Sequence, residues 1–275
     1  MRNKIAIQGI KGSNHYKVVR DYVTSNNPEL LCYDEFRSLC KSVEENEADF
    51  GIMAIENSIA GSILPNYRLL SEFNLHITAE YYLDIQHNLV ALKGQTIKDI
   101  SAVRSHQMAL LQCGTFFEKH PNIKLIEDTD TALPAYQIAE HQRQHTAALV
   151  PDGTAELFGL EVIEHHIQDH NLNSTRFIKV EKQLLKDTSK INKASIKFEL
   201  KHQPGALFKV LQVLNEQHIN MTKIQSVPLQ KSKWRYAFFL DVVFESYIVF
   251  EEVLENLKSI TQNFKVLGHY KQAEI

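Results

Sequence analysis

Along the first 180 positions, apolar residues alternate between short runs and segments spaced by three and four, the rhythm of strands joined by crossover helices. The runs Lys4 to Gln8, Phe50 to Ile55, Leu75 to Leu83, Asn88 to Leu92, Ile100 to Ser105, Ile123 to Glu127, Ala147 to Val150 and Thr175 to Val180 are apolar or β-branched with polar borders, and predict strands. Between them, Ser13 to Thr24, Asp34 to Glu45, Ile63 to Phe73, His106 to Lys119 and Asp130 to Glu140 have helical spacing, several behind a Ser or Asp suited to capping the first turn. The pattern predicts one α/β domain over residues 1–180.

Residues 181–193 are polar, basic and weakly periodic, which suits a linker. A second unit over residues 194–275 follows. Ser195 to Leu200, Ile219 to Pro228, Trp234 to Phe244 and Phe264 to Tyr270 predict strands, and Ala206 to Glu216 and Ile248 to Ile260 predict helices. The resulting order, βαββαβ, is ferredoxin-like.

Composition narrows the class of protein. With 44% hydrophobic and 23% charged residues in 275, the chain reads as an ordinary globular protein, with no apolar run of membrane-spanning length and no signal-peptide core. The cytoplasm is the expected compartment. A formal charge of -3 does not suit a broad phosphate-binding surface, so no nucleic-acid partner is expected. Cys32, Cys40 and Cys113 are odd in number and lack Cys-x-x-Cys spacing, and read as reduced thiols.

Several strand ends carry candidate chemistry. Gly9-Ile10-Lys11-Gly12-Ser13 follows the first strand and leads a helix, and is either an anion-binding turn or a glycine turn without a ligand. It is neither a dinucleotide fingerprint nor a P-loop. Glu56-Asn57-Ser58 with Gly61 closes another apolar strand, where open α/β sheets place their ligands; an Asx turn with a helix cap is the alternative. Ser105-His106 stands at a third strand end, but adjacent residues seldom pair as nucleophile and base, and the Gly-x-Ser-x-Gly elbow of a serine hydrolase is missing. His141 and His145, and the group His165, His166 and His170, read as solvated histidines, with no metal expected. Thr175 and Arg176 are adjacent at a strand start, where alternation sends them to opposite faces unless a turn intervenes; Arg176 is a substrate clamp or a solvated edge residue.

Taken in order, Glu56-Asn57-Ser58 with Gly61, Ser105-His106 with Ala109-Leu110 and Gln112-Cys113, Thr131-Ala132, Ala147-Ala148, Gly159-Leu160, Ile167-Gln168-Asp169 and Asn173-Ser174-Thr175-Arg176-Phe177 resemble the landmarks of the prephenate dehydratase family. Pro204-Gly205-Ala206-Leu207 and Ile219 to Pro228 are similar to that family's ACT domain. The resemblance implies a periplasmic-binding-protein-like catalytic domain of two α/β lobes with the site in the cleft between them. It also implies a homodimer or homotetramer with L-phenylalanine as effector at ACT interfaces, near Gly205, Ala206, Leu207, Asn220, Gln225 and Ser226. Two departures stand out. The family's glycine loop, usually Gly-Pro-x-Gly-Thr-Phe-Ser, here lacks the proline and phenylalanine. Its Glu-Ser-Arg-Pro regulatory motif is here Gln225-Ser226-Val227-Pro228, so a weak or altered phenylalanine response is expected.

The implied reaction converts prephenate to phenylpyruvate with loss of carbon dioxide and water, and aromatisation of the ring drives it. No cofactor is expected. The expected roles are Thr175 as hydrogen-bond donor to the leaving hydroxyl, and Arg176, or its backbone with the Gly9 to Ser13 loop, Gly12 and Ser13 among them, as carboxylate holder. Asn57, Ser58, Gly61, Ser105, His106, Thr131 and Phe177 would bind and orient the rest. Arogenate dehydratase, with an amino group in place of the keto oxygen, is the nearest alternative, and a non-catalytic amino-acid-sensing cleft protein is another. A fused mutase is not expected, because the first strand begins at about Lys4.

Overall fold

The computed structural model describes residues 3–23, 27–229 and 235–274. Lobe one is built from β1 (Lys4–Gln8), α1 (Asn14–Tyr22), β2 (Glu29–Tyr33), α2 (Phe36–Glu44), β3 (Phe50–Asn57), the short β4 (Gly61–Ser62), α3 (Leu64–Glu72) and β5 (His76–Asp84). Lobe two follows with β6 (Asn88–Ala91), β7 (Ala102–His106), α4 (Gln107–Leu111), α5 (Gly114–Glu118), β8 (Lys124–Asp128), α6 (Leu133–Glu140), β9 (Thr146–Val150), α7 (Thr154–Phe158) and β10 (Glu161–Glu164). The chain then returns to lobe one as β11 (Ser174–Glu181), which inserts antiparallel between β3 and β5. The two crossing segments run side by side, Ile85 N–H donating to Asn173 O at 2.7 Å and Ile167 N–H to His87 O at 2.9 Å.

The second unit is β12 (Lys193–Glu199), α8 (Ala206–Glu216), β13 (Asn220–Pro228), β14 (Tyr236–Val243), α9 (Tyr247–Ile260) and β15 (Gln262–Tyr270), in the βαββαβ order that the sequence predicts. Its sheet is continuous with that of lobe one, in the order β13-β14-β12-β15-β5-β11-β3-β1-β2. The junction is one parallel contact between Gly268 and Ile77. A Cβ on residue 268 would stand 2.1 Å from the Ile77 carbonyl oxygen, so only glycine permits this approach. Lobe two has its own five-stranded sheet, β10-β6-β9-β7-β8.

Apolar burial follows these layers. Ile5, Ile7, Val18, Val19 and Ile52 fill the α1 side of the first sheet. On the opposite side, Leu39, Met53, Tyr67 and Leu70 pack in one cluster with Val227, Phe239 and Leu267 of the second unit. That shared core explains why the second unit does not hang from the linker alone. No described helix is long and apolar enough to cross a membrane.

One local expectation needs correction, and three elements, β2, α7 and β10, carry no signal that the sequence pattern shows. The helix expected over His106 to Lys119 is two short helices, because Asp169 takes the groups freed at the break: its N–H donates to Gln112 O at 2.8 Å and its Oδ1 accepts from Thr115 N–H at 3.0 Å. Strand β2 carries no alternation strong enough to read, being a half-exposed sheet edge. α7 and β10 are too short, at five and four residues, to show a period. Thr24 and Trp234, the ends of one expected helix and one expected strand, lie outside the described residues.

Candidate active site

The ends of β1, β3, β7 and β8 converge with the start of β11 on a cleft of about 840 Å³ between the lobes. Ligands collect at such strand ends because the sheet holds the connecting loops around a concavity.

Asn57 organises the floor. Its Oδ1 accepts from the N–H groups of Ile59 and Ala60 at 3.0 and 2.8 Å, so the Asx turn readable in the sequence is present. Its Nδ2 donates to Thr175 Oγ1 at 2.9 Å and to Asn173 Oδ1 at 2.7 Å. Turn and site are therefore one structure. Because an amide nitrogen can only donate, Thr175 Oγ1 is the acceptor there, and its own proton remains for another partner. Thr175 is 8% exposed and lines the cleft.

The network continues into lobe two. Asn173 Nδ2 donates to Gln112 Oε1 at 3.0 Å, and His87 Nε2 meets the same oxygen at 3.0 Å. A carbonyl oxygen accepts, so His87 carries its proton on Nε2. Burial pushes the His87 pKa down, which favours this neutral form.

His15 is also on the wall. Its Nε2 accepts from Ala54 N–H at 3.3 Å, and its ring meets Phe177 edge-on at 5.0 Å between centroids. Burial lowers its pKa to about 3, so His15 is a neutral acceptor on one nitrogen and a donor on the other, not a cation at neutral pH. From lobe two, Asp130 caps α6: its Oδ1 accepts from Ala132 and Leu133 N–H at 2.6 and 2.9 Å. Burial pushes its carboxyl up, against the pull of those two donors. Gly9, at φ +83°, lies so close that a Cβ there would be 2.2 Å from Asp130 Oδ2.

The structure brings together Asn57, His106, Thr131, Thr175 and Phe177 on the cleft wall. It does not bring Arg176. Strand alternation turns Arg176 to the opposite face, where it is 5% exposed, its Nε donating to Glu80 Oε2 at 2.7 Å, its Nη2 to Tyr270 Oη at 2.8 Å and its Nη1 to Asp241. Burial disfavours that charge, and Tyr270, Asp241 and Glu80 outweigh it, leaving the guanidinium pKa well above its usual value. The expectation that Arg176 side-chain donors hold substrate is therefore corrected.

Five other expected residues serve the frame. Ser105 is fully buried and donates to Leu149 O at 2.9 Å, tying β7 to β9. Ser58 Oγ accepts from Ser174 N–H at 2.9 Å. Gly61, at φ +80°, opens β4 after the turn from β3 and pairs with Asn57. Ser13 Oγ caps α1 by accepting from Tyr16 N–H at 3.3 Å. Gly12 O accepts from Thr154 Oγ1 at 2.8 Å, a bond from lobe one to lobe two. None of the five lines the cleft as described.

His15, Asp130, His87 and Arg68 were not among the expected site residues, yet all four line it. Only His15 had a visible signal, since it sits where the glycine loop departs from the family pattern. Arg37, also on the wall, is held by both carboxylate oxygens of Glu72 at 2.5 and 2.6 Å. Among the described residues, no three His, Cys, Asp or Glu side chains gather as metal ligands.

In the second unit, Ala206 and Leu207 line a smaller pocket of about 180 Å³ with Tyr236 and Phe238, behind Gly205 at φ +76°. Asn220, Gln225 and Ser226 lie on β13 at the sheet edge, Gln225 Nε2 donating to Ser226 O at 2.9 Å. Val227 is buried in the core shared with lobe one.

Comparison with known proteins matches residues 5–184 to the prephenate dehydratase family and residues 194–261 to the ACT domain. An Arabidopsis thaliana protein named arogenate dehydratase/prephenate dehydratase 2, chloroplastic, is 35% identical over 98% of this chain and 73% of its own length. The bifunctional chorismate mutase/prephenate dehydratase of Aquifex aeolicus is 33% identical over 98% of this chain and 74% of its own length. Among solved structures, one described as a novel type of quorum quenching acylase, GqqA, superposes with a TM-score of 0.87 at 26% identity, covering 98% of both chains.

Proposed function

The chain belongs to the prephenate dehydratase family and carries an ACT domain, and from that premise we propose that it converts prephenate to phenylpyruvate, carbon dioxide and water. The observation that carries this reading is the direction of one hydrogen bond. Asn57 donates to Thr175 Oγ1, which leaves the hydroxyl proton to point at a ligand in the cleft.

In the proposed reaction the bond from the ring carboxylate to the ring breaks, and its electron pair enters the ring. The ring hydroxyl leaves from the far end with Thr175 hydrogen-bonded to its oxygen, and one proton taken up from solvent completes the departing water. Threonine is a poor acid, so its contribution is a positioned donor to the developing negative charge on oxygen. A half-apolar cleft formed by Ile63, Leu69, Ile85, Met108 and Phe177 leaves the departing carboxylate poorly solvated, which favours its loss as neutral carbon dioxide. With Arg176 turned away, the carboxylate contacts fall to Arg68, Asn14 and neutral His15 on the wall. The reaction as written uses no cofactor or metal.

An acylase reading would call for a nucleophile beside a base. No serine or cysteine is among the described lining residues; Ser105 is tied to Leu149 and Cys113 is buried. For the ACT domain, L-phenylalanine is the proposed effector, with a weak response because Val227 supplies no charge. Assembly into a homodimer or homotetramer through this unit is supported by Phe208 and Ile248, which are 66% and 70% exposed. The proposed compartment is the cytoplasm.

The test is to add purified protein to prephenate at neutral pH and follow phenylpyruvate. Formation at an enzymatic rate is expected. Turnover of arogenate with prephenate left untouched would replace the substrate, and no turnover of either would overturn the reading.

A further inference from the structure

The cleft pair Asn57 and Thr175 face each other in the β3 to β11 ladder, and the next pair in register is Glu56 and Arg176. A strand sends successive side chains to opposite faces, so Asn57 and Thr175 meet in the cleft while Glu56 and Arg176 meet the second unit behind it. There Lys223 of β13 donates to Glu56, and to Ser62 Oγ at 2.9 Å. Arg176 donates to Asp241 of β14, to Tyr270 of β15 and to Glu80 of β5. Lys193 of β12 reaches both oxygens of Glu80 at 2.8 Å, and Ser195 Oγ is 2.8 Å from Tyr270 Oη. Arg176 Nη1 and Glu56 Oε2 are 4.0 Å apart, which joins the two halves. Three cations, Lys193, Lys223 and Arg176, thus meet three anions, Glu56, Glu80 and Asp241.

We propose that Glu56 and Arg176 are positioning residues for the dehydratase reaction: the ACT unit, gripping them through Lys223 and Asp241, sets the geometry of the Asn57–Thr175 donor pair one residue away. The β11 to β3 ladder slips between Arg176 and Phe177, a bulge on the side that carries the Asn57–Thr175 pair, while the ladder to β5 runs on in register from Ser174 to Lys179. The bonds from Asp241 to Arg176 and from Lys223 to Glu56 brace the two strands on that side of the bulge. Every partner on the far side belongs to the second unit except Glu80 and Ser62. The active-site geometry is therefore completed by a domain that contributes nothing to the cleft wall as described.

This inference rests on the dehydratase reading, and the test separates the two. Lys223→Met is the first variant, because its partner Glu56 is one-third exposed and can be solvated when left alone. In the full-length chain it is expected to lower kcat for prephenate about tenfold with KM within about twofold, since donor geometry and not binding is altered. Lys223→Arg restores kcat to within about threefold, and Glu56→Gln combined with Lys223→Met is no worse than either alone, the signature of one shared interaction. Hydrogen exchange supplies a readout that needs no activity: amides of 50–57 and 174–181 exchange faster in Lys223→Met, while lobe two is unchanged. Unaltered exchange and unaltered kcat in a folded Lys223→Met protein overturn the proposal, as does a loss seen only in KM. Should the wild-type chain leave prephenate untouched, the dehydratase reading fails while the exchange comparison still decides the mechanical link.

Discussion

Asn57 Nδ2 donates to Thr175 Oγ1 at 2.9 Å across 118 residues of chain, and this one bond fixes which way the threonine proton points. Replacing the amide by a carboxylate reverses the direction. Asn57→Asp gives the threonine an acceptor, so the proton turns away from the cleft. A fall in kcat on the order of 10² is expected, comparable to the loss of a positioned donor, with a smaller change in KM. A steady-state comparison with wild type checks it, and a folded variant with unchanged kcat would show that the donor direction is immaterial.

His15 makes stability depend on acidity. Its folded pKa is lowered to about 3 by burial, so the unfolded chain takes up a proton near pH 6.5 that the folded chain refuses. The stabilisation is fully present above pH 6.5 and is lost as pH falls towards about 3. By pH 5 the loss amounts to about 2 kcal/mol from this residue alone. Urea unfolding of wild type and His15→Gln at pH 8 and pH 5 measures it: the variant is expected to show a smaller difference between the two pH values. Equal differences would remove His15 as the source. His76 and His87, also lowered by burial, add acid sensitivity of the same sign to both proteins.

The sheet junction is equally exposed to substitution. Gly268→Ala forces a methyl group against the backbone of Ile77, which cannot move aside without parting β15 from β5. A loss of about 2 to 4 kcal/mol is expected in denaturant unfolding. A change below about 0.5 kcal/mol would mean that β15 parts from β5 at little cost.

Phenylalanine should act weakly. Val227 is buried among apolar residues shared with lobe one, so position 227 offers no charge to an amino acid's carboxylate or ammonium group. Equilibrium dialysis with phenylalanine, beside activity assays with and without it, tests this. Tight binding with strong inhibition would contradict it.

Much of this was readable in advance, and the exceptions have physical causes. The βαββαβ order and most catalytic strands were legible because their apolar positions repeat with a clear period. The β2 edge and the five-residue α7 were not, since neither is long enough or buried enough to impose one. Motif and strand-end position point to Thr175 and Asn57, and both line the cleft. Arg176 illustrates how a local rule outperforms a motif: alternation alone sends it away from Thr175, as the structure has it, while its motif neighbourhood suggested the cleft. Its partners Glu80 and Asp241 lie 96 and 65 residues away, and no local pattern marks them. Asp130 and His87 reach the cleft through lobe packing, which a one-dimensional pattern does not record.

The central claim, that a positioned hydroxyl on β11 carries the chemistry, is tested most directly by the turnover of prephenate in Thr175→Ala beside Thr175→Ser, both shown to be folded. The expected result is a loss in kcat on the order of 10² to 10⁴ for the alanine variant and a far smaller loss for serine, which keeps the proton. An alanine variant within about threefold of wild type would contradict it.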